Sequence, residues 1–303
     1  MKKEKKIAFF IILIFGLFTI NFAFAQQIRE QNITKLHKVS SGSQNYLIKI
    51  TFPPNYNSSK EYNVLYYLDA WFISDVVTGS YNVLNRCDYV ENIVLIGISI
   101  EGNEYDFNKQ RVMDFTPSKH KMSNKMKALG ENGNYPVIKS GAGNNAVLVN
   151  SETTGGADIF INFLSGKLFP FVEKKYPNLN NRKGFLGHSL GGLFGAYLLQ
   201  KKPKLIDDYI LISGSLGWNQ KEILKEELFK DFKNSTSLKQ LFLSYGAAET
   251  KLTTIPNDKF NTIIKKLERK NLNYYMKVYE KANHHSILSR AIYDGLLYIY
   301  KKK

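Results

Sequence analysis

Residues 183–199, "KGFLGHSLGGLFGAYLL", constrain the fold of this chain more than any other stretch. An apolar, strand-like run passes into a helix-like run with no loop between them. At the junction a Gly-x-Ser-x-Gly frame is filled by Gly187, His188, Ser189, Leu190 and Gly191. A serine at so tight a turn must take strained backbone angles, and residues two places to either side come close enough that only small ones fit. The turn lifts Ser189 Oγ clear of the sheet. It also aims the first N–H groups of the helix, Leu190 foremost, at the same space, where an oxyanion can sit. Ser189 is therefore a candidate nucleophile. The alternative is a glycine-rich packing turn with an incidental serine.

The rest of the chain repeats the same strand-then-helix theme. Residues 46–54, 62–70, 93–100, 208–215, 238–246 and 274–282 read as strands, and "IVLIGISI" at 93–100 is apolar throughout, as a strand buried on both faces should be. Phe160, Phe163, Leu164, Leu168 and Phe171 fall at helical spacing. Residues 258–270 form an amphipathic helix with Phe260, Ile263, Ile264 and Leu267 on one face, and residues 287–300 form a last one. Such alternation implies an α/β protein with a mostly parallel sheet covered on both faces. Residues 118–156, rich in Gly, Asn, Ser and Lys, break the pattern; a loop this long inside a compact domain is usually functional or disordered. Its lysines and glycines suit a movable flap that selects substrate, or a solvated insertion.

The N-terminus has the organisation of an export signal. "KKEKK" at residues 2–6 is the basic region, an apolar core follows, and Ala23 to Ala25 supply small residues before Gln26. The apolar run is short for a membrane span, which needs about 20 residues. The expectation is a signal peptide at 1–25 cleaved near Ala25, a single domain over 26–303, and a periplasmic or secreted protein. No cysteine stands at a lipobox position after the apolar core, which disfavours a lipoprotein. The one cysteine, Cys87, allows no internal disulfide and is expected to be a small buried apolar residue. Of the net charge of +16, +3 comes from the four Lys and one Glu of residues 2–6, and the rest is spread thinly in pairs such as Lys201 and Lys202. No basic block interleaved with aromatics appears, so nucleic acid is not an expected partner. The basic surface suits weak association with anionic surfaces.

A serine nucleophile needs a base, and the chain offers His37, His120, His188, His284 and His285. His188 lies inside the elbow, where it would support the turn. His284 and His285 follow the last strand, where the base arrives in a strand-elbow-helix hydrolase. Neither an HExxH motif nor a Cys/His cluster at ligand spacing is present, so no metal is expected. The acid should follow the preceding strand. Glu249 stands three residues beyond Gly246; Asp258, further on, reads as the start of the amphipathic helix, where it would favour the helix N-terminus. Glu249 is preferred, with Asp258 as the alternative. The acid would fix the imidazole tautomer and stabilise the imidazolium.

These segments together resemble the Putative esterase family of α/β-hydrolases, which includes esterase D-like and enterochelin esterase-like proteins. The resemblance runs through "YNVLYYLDAWF", "VLIGIS", "RVMDFTPS", "GGADIFINFLSGKLFPFVEKKYP", "GHSLGGLFGAYLL", "ISGSLGWN" and "NHHSILSRAIYDGLLYIY". It implies an α/β-hydrolase fold and a serine esterase acting on a small-molecule ester, with no cofactor. The family's His-x-Ser loop selects His284 as the base. A backbone N–H near Ala70 or Trp71 would be the second oxyanion donor beside Leu190. Two departures stand out: Ala70 replaces the usual glycine after Asp69, and Gly214 and Gly217 stand where proline and tryptophan are common. Other activities compatible with these residues are acyl transfer to an alcohol, peptide hydrolysis, and binding without catalysis. The substrate, whether acylated sugar, siderophore ester or simple ester, and the oligomeric state are not legible in the sequence.

Overall fold

The computed structural model describes residues 32–121, 139–140 and 146–302. The expected signal peptide and most of the Gly- and Lys-rich segment lie outside these residues. Eight strands form one sheet in the order β1-β2-β4-β3-β7-β8-β9-β10. The first edge is antiparallel: β1 (Thr34–Ser41) pairs with β2 (Gln44–Thr51), which pairs with β4 (Ile93–Ile100). From β4 through β3 (Asn63–Tyr67), β7 (Lys183–His188), β8 (Asp208–Ile212) and β9 (Lys239–Gly246) to β10 (Leu272–Tyr279) every pairing is parallel. β5 (Lys139–Ser140) and β6 (Val147–Leu148) make a separate small ribbon. This is the α/β-hydrolase arrangement expected above.

The central strands are apolar throughout because both faces are covered. Leu65, Tyr67, Ile93, Leu95, Ile210 and Ile212 face α1 (Ala70–Arg86) and the C-terminal helix (Leu288–Tyr300). Their alternates Val64, Tyr66, Val94, Ile96, Tyr209 and Leu211 face the opposite helical layer. That layer holds α2 (Glu104–Phe115), α3 (Ala157–Phe163), α4 (Phe169–Lys175), α5 (Leu190–Lys201) and α6 (Lys251–Lys266). The C-terminal helix is α7. Period-two alternation into two apolar clusters is what a doubly covered sheet demands.

Several details differ from the expectations. Periodicity does not mark β1, α1 or α2. α1 opens directly after a strand, and α2 starts at a capping box, with the Asn103 side chain accepting from the Tyr105 and Asp106 amides and Asp106 accepting from the Asn103 amide. The run from Phe160 to Phe171 is interrupted by a π-helical turn, Leu164–Leu168. Pro170 lacks the N–H that an α-helix would aim at Gly166 O, which accounts for the widened turn. α6 begins at Lys251, with Pro256 inside it, so Asp258 lies in the body of the helix and caps nothing. Cys87 is exposed: it is the C-cap residue of α1, where the chain leaves the core, its amide donating to Val83 O at 3.1 Å.

Candidate active site

The carboxyl ends of five parallel strands deliver one residue group each to the same edge of the sheet. Beyond β3 lie Asp69 and Ala70, beyond β7 Ser189, beyond β8 Ser213 and Ser215, beyond β9 Glu249, and beyond β10 His284. Parallel strands with crossover helices put all these loops on one side, which is where ligands bind in such sheets.

Ser189 takes φ 58° and ψ −116°, a strained conformation at the strand-to-helix turn. Contact requires glycine at 187 and 192. Against the expectation, it does not at 191, where a Cβ would have ordinary clearance because only the Gly191 backbone faces Gly187. A Cβ on Gly187 would lie 2.2 Å from Gly191 O, and one on Gly192 would lie 2.9 Å from Gly214 Cα. Ser189 Oγ is 2.9 Å from His284 Nε2, and His284 Nδ1 is 2.6 Å from Glu249 Oε2. The Glu249 side chain is only 1% exposed. Its other oxygen accepts from Ser213 Oγ at 2.6 Å and from the Gly246 amide at 2.8 Å. Burial pushes the Glu249 carboxyl up, but the hydrogen bonds from His284, Ser213 and Gly246 outweigh it, so its pKa lies below the ordinary value. A carboxylate only accepts, so His284 Nδ1 carries a proton, and in the neutral ring Nε2 is free to accept from Ser189.

The histidine loop is held from two sides. Asn283 Oδ1 accepts from the His285 and Ser286 amides, and Ser286 Oγ accepts from the Asn283 amide. From the elbow, His188 Nε2 donates to the His284 carbonyl at 2.8 Å. His188 is buried, and burial, together with the neighbouring His284 and Arg111, holds its pKa well below the ordinary histidine value. It is a neutral strut. His285 is exposed, its ring edge-on to His284 at 5.5 Å between centroids. His37 bonds Tyr176 OH, and His120 lies against Trp218. Asp258 accepts from Tyr245 OH at 2.7 Å. Glu249, and not Asp258, reaches His284.

The second half of the site is the start of α1. Asp69 sits in the left-handed region at φ 56° and pairs bidentately with Arg111, at 2.7 and 3.0 Å, the two side chains 3% and 13% exposed. The Phe72 and Ile73 amides donate to Asp69 O, which leaves Ala70 and Trp71 as the first two amides of the helix, without an acceptor among the described residues. A Cβ on Gly191 would lie 3.6 Å from Leu68 Cβ, so the first turns of α1 and α5 start side by side. Ala70 already has helical backbone and the positive φ falls on Asp69, so glycine is not needed at position 70. The Trp71 side chain is half exposed and stacks on Phe107 at 5.4 Å.

Nothing local in the sequence pairs Asp69 with Arg111 or marks Ser213 and Ser215. "YLDAW", "RVMDF" and "ISGS" are all visible in the sequence, but no spacing rule joins residues that crossovers bring together. Of the segment 118–156, only its stems and the small ribbon are described. Asn219 Nδ2 donates to Lys119 O at 2.9 Å, its Oδ1 accepts from the Lys121 amide at 3.0 Å, and the His120 amide donates to Thr154 Oγ1 at 2.7 Å.

Among known proteins, the family model described as "Putative esterase" matches residues 40–286. The ferri-bacillibactin esterase BesA of Bacillus subtilis is 29% identical over 198 residues, 64% of this chain and 62% of that one. A siderophore enterobactin esterase of Emericella nidulans is 43% identical over 77 residues, 25% of each chain. The chain thus spans less than two thirds of these curated relatives. Among solved structures, the BES protein from Bacillus cereus superposes with a TM-score of 0.73 at 22% identity, over 90% of this chain and 99% of that one. Siderophore hydrolase EstA from Aspergillus nidulans gives 0.67 at 22% identity, over 88% and 93%.

Proposed function

The chain belongs to the Putative esterase family, and on that premise we propose that it is a serine hydrolase cleaving carboxylic esters through an acyl-enzyme, with Ser189, His284 and Glu249 as its triad. The observation that carries this reading is the continuous hydrogen-bonded line from Ser189 Oγ through the imidazole to a buried carboxylate. Ser189 attacks the ester carbonyl as His284 Nε2 takes its proton. Glu249 holds the tautomer that leaves Nε2 free and stabilises the imidazolium. The Leu190 amide and those of Ala70 and Trp71 converge on the developing oxyanion, and the Asp69–Arg111 pair keeps the second donor group in place. The alcohol leaves with the proton from His284, and water activated by the same imidazole releases the acid.

The substrate class we favour is a siderophore ester, because the relatives named above are siderophore esterases. The exposed rings of Trp71 and Phe72, beside the amides that would bind the oxyanion, supply an aromatic wall for such a molecule. Export, with cleavage near Ala25, completes the reading. The test is direct. A fluorophosphonate should label the wild-type protein on the peptide containing Ser189, and Ser189→Ala should lose both labelling and hydrolysis of p-nitrophenyl and siderophore esters. Labelling elsewhere, or retained turnover, rejects the nucleophile. Hydrolysis of simple esters but not of siderophore esters rejects the substrate class alone, and a recovered envelope protein that does not begin near Gln26 rejects the cleavage.

A further inference from the structure

The loop leaving β8 places two serines against opposite ends of the proposed triad. Ser213, at φ 47°, donates to Glu249, and Ser215 Oγ lies 3.3 Å from Ser189 Oγ. The loop is pinned to the elbow: the Ser189 amide donates to Ile212 O at 3.0 Å, the Ser215 amide donates to Ser189 O at 2.9 Å, and Gly214 packs against Gly192. Proton counting fixes the direction of the hydroxyl contact. His284 Nδ1 carries the proton given to Glu249, so Nε2 accepts, and Ser189 spends its single proton there. Ser189 Oγ can then only accept from Ser215, and Ser215 Oγ–H is the donor.

We propose that Ser215 is a further catalytic residue, a hydroxyl donor to the reacting oxygen of Ser189 that acts chiefly in deacylation. This rests on the serine mechanism above. In deacylation, water attacks the acyl carbon and gives a proton to His284 Nε2. The tetrahedral adduct then breaks its bond to Ser189 Oγ. The bonding pair goes to Oγ, which takes the proton back from Nε2, and the carboxylic acid departs. Oγ changes from a weakly basic ester oxygen to a developing alkoxide, so a donor already aimed at it gains strength as the bond breaks. In acylation the same bond exists before attack and fades as Oγ becomes an ester oxygen. A donor of this kind is therefore worth more in the second half of the cycle than in the first. Ser213 acts through Glu249 and the imidazole, which serve both halves alike.

Rapid mixing with p-nitrophenyl acetate separates the two steps as a burst and a steady release, and these first-order constants do not depend on the fraction of folded protein. Ser215→Ala should keep the acylation constant within about threefold and lower the deacylation constant about tenfold, the scale of one hydrogen bond to a group gaining charge. Ser213→Ala should lower both constants by a common factor and shift the pH profile of both. An equal fall in the two constants for Ser215→Ala, or no fall in either, overturns the proposal. Titration with diisopropyl fluorophosphate counts competent sites in each variant. A burst that persists in Ser189→Ala would instead bring down the serine mechanism itself, an outcome distinct from any result at Ser215.

Discussion

The two ends of the parallel sheet each bury a carboxylate, and they treat it in opposite ways. At the carboxyl ends of the strands, Glu249 receives three hydrogen bonds, from His284, Ser213 and the Gly246 amide, and its pKa is lowered. At the amino ends, Asp208 is held by Arg182 at 2.6 and 3.2 Å, and neighbouring Asp207 meets Lys239 at 3.4 Å. There burial outweighs the hydrogen bonds and charge of Arg182, and the Asp208 pKa is raised. Asp208 and Ser213 lie at opposite ends of one strand, so the contrast is not one of core against surface. The lower cluster ties β7, β8 and β9 together. The upper cluster spends backbone strain at Asp69, Ser189 and Ser213 to aim polar groups at an open edge.

The largest expected effect that separates the two ends is His284→Ala, which should lower kcat/KM by at least about 10³-fold, the scale of lost general-base catalysis, with little change in Tm. Kinetics on p-nitrophenyl acetate beside a melting curve decide it; retained activity would dissolve the functional meaning of the upper end. Next come the carboxylates themselves. Glu249→Gln should cost about 10²- to 10⁴-fold in turnover. Asp208→Asn should leave turnover within about threefold yet cost about 1–3 kcal/mol of stability by denaturant melting, the scale of a damaged buried polar pair. If Asp208→Asn were the more damaging to activity, the division between the two ends would be wrong.

The pH dependence of stability sharpens the same contrast. Glu249 has a lowered pKa, so its contribution is present above the ordinary carboxylate range and disappears as pH falls through its lowered value. Asp208 has a raised pKa, so the folded protein holds its proton more firmly than the unfolded chain. Its contribution is present below the ordinary carboxylate range and is lost as pH rises through the raised value. Melting series from about pH 3 to about pH 7 should show Glu249→Gln flattening the acid limb and Asp208→Asn flattening the loss on the other side of the carboxylate range. The same slopes in both variants as in wild type would mean that neither group is coupled to folding as described. The smallest effect is at His285, exposed beside the proposed base: His285→Ala should change kcat/KM by no more than about threefold.

The sequence alone determined the alternation of strand and helix, the doubly covered sheet, the elbow at Ser189 and the loop bearing His284, because these depend on periodicity and on contacts within a few residues. Gly187 and Gly191 mark the elbow because their backbones meet across four residues. Boundaries failed where local signals compete. Asp258 read as a helix start although α6 begins at Lys251 and carries Pro256 within it, and Cys87 read as buried although α1 ends there. It took the folded chain to set Glu249 rather than Asp258 against His284, to pair Asp69 with Arg111, to set His188 beneath the His284 carbonyl, and to bring Ser215 to the oxygen of Ser189. Those partners are separated by 26 to 96 residues and meet because crossover helices return the chain to one edge of the sheet. Hydrogen-bond geometry of that kind leaves no period in the chain; it exists only once the strands are laid side by side.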